Sequence, residues 1–204
     1  MEINKKHVVL VTGFGPFDNH IVNASWEAVR ELNKLCANSK ELIDVHVIAK
    51  AIPVSYEDVN ACIPKLWEEH KPMVVLHVGV SSNAKCLTIE CLAHSTGYVR
   101  SDIYGKCPKE STVEPEIFET KIDVKKICNM INDNSEQITC NACISRNAGK
   151  YLCEYIFFKS LQISPKRTLF VHVPDFHHYS SLQTAKGLYY ILCFLINDVK
   201  NNEI

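Results

Sequence analysis

No stretch of this 204-residue chain approaches 18 consecutive apolar residues, so a membrane-spanning helix is not expected. Its first residues, Met1-Glu2-Ile3-Asn4-Lys5-Lys6-His7, lead straight into a strand-like run, without the apolar core and small-residue cleavage site of an export signal. Linkers rich in Pro, Gly or Ser are missing, as are internal repeats and low-complexity tracts. Residues 1–204 are therefore expected to form a single domain, a length that suffices for a substantial core. An excess of charge of either sign is missing too: 22 Lys and Arg face 23 Asp and Glu, and the cations are scattered. That leaves a phosphate backbone no basic stripe to bind, and nucleic acid is not an expected partner. There is no G-x-S-x-G elbow, no H-E-x-x-H and no Walker loop.

Cysteine, by contrast, is plentiful. The ten cysteines stand at irregular positions, several inside apolar runs such as Ile191-Leu192-Cys193-Phe194. Without an export signal, this pattern implies reduced, packed thiols and a cytoplasmic location rather than a disulfide framework. Cys140-Asn141-Ala142-Cys143 is a lone C-x-x-C inside a strand-like segment, which would point its two side chains to opposite faces, and His177-His178 lacks ligand spacing. No metal is expected. Gly13-Phe14-Gly15-Pro16-Phe17-Asp18 has a dinucleotide-fingerprint look, but Asp18 stands at the third glycine and Pro16 removes a backbone donor, so no cofactor is expected either.

Several short β-branched runs alternate with helical stretches. His7 to Thr12, Val45 to Ile52, Met73 to Gly79 and Thr168 to Val173 read as strands, with Gly13 and Gly79 as turns that end two of them. Helices are expected from a Ser25 cap through Leu32, from Tyr56 to His70, Val124 to Asn132, Cys153 to about Leu161 and Ser181 to Val199. A further strand is expected near Gln137 to Ile144. Cys86 to Ala93 alternates with period two and suits an edge strand or hairpin arm, with Thr88, Glu90 and Leu92 on one side. Residues 101–120 read as a long irregular loop. The alternation implies βαβ units: an α/β fold of three layers around a mostly parallel, twisted sheet, with ligands at the carboxyl ends of the strands.

Asn147-Ala148-Gly149-Lys150-Tyr151-Leu152-Cys153 carries the most chemistry. A Gly-marked turn enters an apolar helix with a thiol in its first turn, where exposed N–H groups and the helix dipole favour the reactive thiolate. His172, near the end of a buried strand, supplies the imidazole of a Cys–His pair. Each has a plain structural alternative, since a free Cys is ordinarily a small buried hydrophobe and a strand His a hydrogen-bonded core residue. Glu90 on the alternating segment is either a solvated carboxylate or the group that orients the imidazole.

In order along the chain, Val11-Thr12-Gly13-Phe14-Gly15-Pro16-Phe17, Val22-Asn23-Ala24-Ser25-Trp26-Glu27-Ala28-Val29, Thr88-Ile89-Glu90, Ala148-Gly149-Lys150-Tyr151-Leu152-Cys153 and Phe170-Val171-His172-Val173-Pro174 resemble the signature blocks of type I pyroglutamyl-peptidases, also called pyrrolidone-carboxylate peptidases. The resemblance spans nearly the whole chain and is closer to the animal forms, notably in Tyr151-Leu152-Cys153 followed by an acidic residue. Ala24, Val54 and Glu154 depart from the common or bacterial pattern. The resemblance implies a single α/β/α domain and a cysteine exopeptidase acting on pyroglutamyl peptides. It places the catalytic roles on Glu90, Cys153 and His172, paired pocket aromatics on Phe14 and Phe17, and a pocket amide on Asn23, with Tyr151 and Leu152 beside the substrate. A flat, uncharged lactam without a free amine suits aromatic walls and one amide better than an acidic pocket. An amidase acting on a small lactam would share the triad but not the aromatic pair, and a catalytically silent pyroglutamyl-peptide-binding protein would keep the pocket without turnover. The oligomeric state is left open.

Overall fold

A computed structural model describes residues 7–17, 21–108 and 114–202. Residues 1–6, Asp18 and residues 109–113 of the 101–120 segment lie outside the described residues. Six strands form the main sheet: β1 (His7–Phe14), β2 (Val45–Ile52), β3 (Val74–Val80), β4 (Leu87–Glu90), β7 (Ala142–Ser145) and β8 (Thr168–Val173). Their order is β2-β1-β3-β8-β4-β7, and every pairing is parallel except β4 against β8. The fold is therefore α/β with a mostly parallel sheet, as the alternating pattern implies.

Alternation within the strands sorts side chains to two covered faces. Val9 and Val11, Val74, Leu76 and Val78, and Leu169, Val171 and Val173 pack with helices α1 (Ala24–Ala37), α3 (Val124–Asp133) and α6 (Ser181–Asn202). Leu10, Phe14, Val75 and Phe170 point the other way, onto α2 (Tyr56–His70) and α5 (Leu152–Ile163). By the same period of two, Gly79, His172, Thr88 and Glu90 belong to the α5 face. That places every candidate reactive group on one side of the sheet.

Several local expectations are corrected. Gly13 and Gly79 do not end strands but lie within β1 and β3. Each is a close-approach position: a Cβ on Gly13 would stand 2.9 Å from Trp26 Cα, and one on Gly79 would stand 2.6 Å from Cys153 Sγ. The helix start belongs to Asn23, whose Oδ1 accepts from the backbone N–H of Ser25, rather than to Ser25. Segment 86–93 is neither an edge nor a single strand. β4 lies between β8 and β7, and after Cys91 the chain leaves the sheet, so Leu92 falls in β5 (Leu92–His94) and not beside Glu90. β5 pairs antiparallel with β6 (Ile117–Glu119), so part of the 101–120 segment is regular. Gln137 and Ile138 lie in the short helix α4 (Ser135–Ile138), and only the end of the expected 137–144 strand pairs, as β7. Cys140 consequently precedes the strand and is buried, donating to Gln183 O, while Cys143 is exposed.

Candidate active site

α5 begins from a tight reversal. Gly149 has φ 94° and Lys150 φ 47°, both in the left-handed region, after which Tyr151 is extended at the N-cap. Leu152, Cys153 and Glu154 then form the first turn. Backbone N–H groups at this position have no partner within the helix, and the helix dipole adds partial positive charge there. The part-buried Cys153 thiol lies over Gly79 of β3 because glycine leaves the space: a Cβ would collide with Sγ and, at 2.8 Å, with Phe170 Cζ. Four of the other cysteines lack such surroundings. Burial pushes the thiols of Cys36 and Cys86 up to about 12 and those of Cys62 and Cys140 up to about 11.

Next to Gly79 in the β3–β8 pairing is His172. Across the antiparallel junction it faces Thr88, with Glu90 two residues along β4 on the same side. This diagonal lets His172 Nδ1 donate to Glu90 Oε1 at 2.8 Å. The second carboxylate oxygen of Glu90 is buried and has no hydrogen-bond partner among the described residues. Phe170 meets the imidazole edge to face, with ring centroids 4.8 Å apart, and fixes its tilt. With Nδ1 committed to Glu90, Nε2 is the nitrogen available to Cys153. Burial alone would pull the imidazole down, but the charge on Cys153, its hydrogen bond and the Glu90 carboxylate outweigh burial and hold His172 up at about 10. A thiol at a helix start, a protonated imidazole beside it and a carboxylate that orients the ring form an arrangement capable of nucleophilic acyl transfer.

A cavity of about 580 Å³ opens beside this series, and all eight candidate residues line it. Glu90, Cys153 and His172 form one end. Phe14 at the end of β1 and Phe17 three residues further on contribute apolar wall, joined by Tyr151 and Leu152. Phe14 is 3 % exposed and packs mainly in the core, so it offers the cavity little surface. Asn23 is largely committed elsewhere. Its Oδ1 accepts from the Ser25 N–H and hydroxyl, and one Nδ2 hydrogen goes to Gly15 O, leaving a single N–H for a ligand.

Sequence reasoning did not single out Ser82, Asn83, Ser145 or Arg100, all of which line the cavity. Val54, a departure from the bacterial pattern, and Ser81, two residues past the Met73 to Gly79 run, line it as well. Arg100 reaches the site through a loop and carries no local signal. Its guanidinium lies 4.1 Å above the Tyr151 ring. His77 shows the plain fate of a strand histidine: fully buried, it is held between Thr12 Oγ1 and Ser160 Oγ and pushed down to about 3, hence neutral. Among the described residues no group of three or more His, Cys, Asp or Glu could hold a metal ion.

Comparison with known proteins adds an independent line. The family model for pyroglutamyl peptidase matches residues 6–192. The chain belongs to the pyroglutamyl peptidase family. Human pyroglutamyl-peptidase 1 is 40% identical over 207 residues, covering 100% of this chain and 96% of the human protein. The rat pyroglutamyl-peptidase 1 is 43% identical over 177 residues, 85% of this chain and 81% of the rat protein. A bacterial pyrrolidone-carboxylate peptidase from Pseudomonas fluorescens stands at 30% over 174 residues, 82% of this chain and 78% of its own, so the lean toward the animal forms holds. Among solved structures, pyrrolidone carboxyl peptidase from Thermococcus litoralis superposes with a TM-score of 0.81 over 96% of both chains at 22% identity, a likeness of fold. No helix among the described residues is long and apolar enough to cross a membrane.

Proposed function

We propose that this member of the pyroglutamyl peptidase family is a cytoplasmic cysteine exopeptidase that releases the N-terminal pyroglutamyl residue of peptides through a thioester intermediate. The observation that supports this most is the series Glu90–His172–Cys153, with the thiol at a helix start and the imidazole held at about 10. The Cys153 thiolate attacks the pyroglutamyl carbonyl, and first-turn N–H groups of α5 take up the oxyanion charge. The imidazolium of His172 gives its proton to the departing amine, and Glu90 keeps the charged ring in place. Water, activated by the now neutral imidazole, then hydrolyses the thioester.

Specificity follows from what the cavity offers. Phe14, Phe17 and Leu152 supply apolar contact to a flat lactam, and the remaining Asn23 N–H meets its carbonyl. Among the described residues, the one carboxylate lining the cavity, Glu90, is already engaged with His172. A charged N-terminal amine would therefore be desolvated without compensation and is excluded.

The test is turnover of a pyroglutamyl-aminomethylcoumarin substrate by Cys153→Ser. The expected loss in kcat is about a thousandfold or more with the fold retained, because the hydroxyl is not ionised in this setting. Alkylation that a pyroglutamyl inhibitor blocks should map to Cys153. Normal turnover in the variant, or protection at Cys140 or Cys143 instead, contradicts the assignment.

A further inference from the structure

The residue after the nucleophile, Glu154, has no exposed surface and takes no part in the chemistry described so far. Three donors converge on its carboxylate. Oε2 accepts from the backbone N–H of Lys150 at 2.9 Å. Oε1 accepts from the backbone N–H of His94 at 2.9 Å and from His94 Nδ1 at 2.7 Å. An ionised carboxylate is acceptor-only and can satisfy all three at once; an amide sets its NH₂ against at least one N–H.

The positions of these donors give the carboxylate its significance. Lys150 is the non-glycine residue at φ 47° in the reversal that delivers Cys153, a conformation that persists only when neighbouring groups hold it. His94 ends β5, which follows β4 and Glu90 after the single residue Cys91. Its carbonyl is in turn held by the Tyr98 hydroxyl at 2.5 Å. The Lys150 side chain lies against Gly97 of the same segment, close enough that a Cβ there would stand 2.9 Å from Nζ. One buried carboxylate thus ties the turn that carries the nucleophile to the stretch of chain that carries the orienting Glu90.

The geometry points to Glu154, acting through His94 and the Lys150 N–H, as a positioning residue that sets Cys153 against His172. This rests on the assignment of Cys153 as nucleophile. A role limited to stability would lower the unfolding midpoint and leave a folded enzyme with ordinary kinetics. A positioning role moves the chemical step itself, since a displacement of about 1 Å costs on the order of a hundredfold.

The experiment compares Glu154→Gln, His94→Leu and His94→Asn with the wild type, well below the unfolding midpoint of each. It measures kcat and KM on pyroglutamyl-aminomethylcoumarin and the rate of iodoacetamide labelling at Cys153, followed by mass spectrometry. Glu154→Gln is expected to lower kcat roughly tenfold to a hundredfold, with KM within about twofold and Cys153 labelling slowed in parallel. His94→Leu, which removes only the ring donor, should lose part of this, and His94→Asn, whose Nδ2 can replace Nδ1, should recover it. If Glu154→Gln does not fold, His94→Leu against His94→Asn still decides. Unchanged kcat and labelling in folded variants, or a rise in KM alone, overturns the inference. A wild type that leaves pyroglutamyl substrates uncleaved would overturn the proposed substrate instead, and the labelling rates would still report on the position of Cys153.

Discussion

A single missing side chain decides where the thiol can stand. Gly79 is inside β3, and the space its Cβ would fill is occupied by Cys153 Sγ and Phe170 Cζ. Gly79→Ala should therefore displace the thiol or the ring that props His172, lowering kcat by about a hundredfold or more. Steady-state kinetics on a variant shown to be folded by circular dichroism checks this; undiminished kcat would mean the thiol has room that the structure denies it. The Glu90 carboxylate acts on a different property of the same site. After the charge and hydrogen bond of Cys153, this carboxylate is what keeps His172 protonated up to about 10, and in the proposed mechanism the imidazolium protonates the leaving amine. Activity is therefore expected to persist through neutral pH and to fall as pH rises through that region. Removing the negative charge in Glu90→Gln lowers the imidazole pKa, so the alkaline limb of kcat/KM should move to lower pH and kcat should fall more than KM rises. A pH profile unchanged in that variant would detach Glu90 from His172.

Elements place these residues, and at this scale the sequence is informative where its period is clean. The runs in β1, β3 and β8 and the Gly149 turn into α5 are legible because continuous β-branched stretches and a left-handed glycine leave local marks. Segment 86–93 is not legible in the same way. Its alternation specifies a strand but not its neighbours, and only the antiparallel insertion of β4 between β8 and β7 brings Glu90 to His172. The same holds for Arg100, a loop residue that meets Tyr151, and for Glu154, whose partner His94 ends β5. Asn23 illustrates two roles on one side chain, because it caps α1 through Oδ1 and faces the cavity with one remaining N–H. Substitution can separate them. Asn23→Ala should lose about 1 kcal/mol or more of stability together with affinity for the lactam. Asn23→Ser retains a capping oxygen and should lose mainly the affinity. Urea unfolding read beside KM decides, and equal effects of both variants on both quantities would rule out the separation.

For the whole molecule, the sheet order is what makes a site. β1, β3 and β8 run parallel, so Phe14, Val80 and His172 gather at one end of the sheet, and α5 covers the same face with Cys153 at its start. The apolar wall, the proposed nucleophile and the oriented imidazole thus share one cavity, although their residues are spread from Phe14 to His172. On the proposed reading, aromatic and aliphatic walls and a carboxylate already engaged with an imidazole suit an acyl group without an amine. The most direct test of that claim is kcat/KM for pyroglutamyl, prolyl and glutaminyl aminomethylcoumarin substrates on the wild-type chain and on Phe17→Ala. Strong preference for the pyroglutamyl substrate, reduced in Phe17→Ala by about 1–3 kcal/mol of transition-state binding, is the predicted result. Equal or better turnover of the prolyl or glutaminyl substrate, whose amine is free, would contradict it.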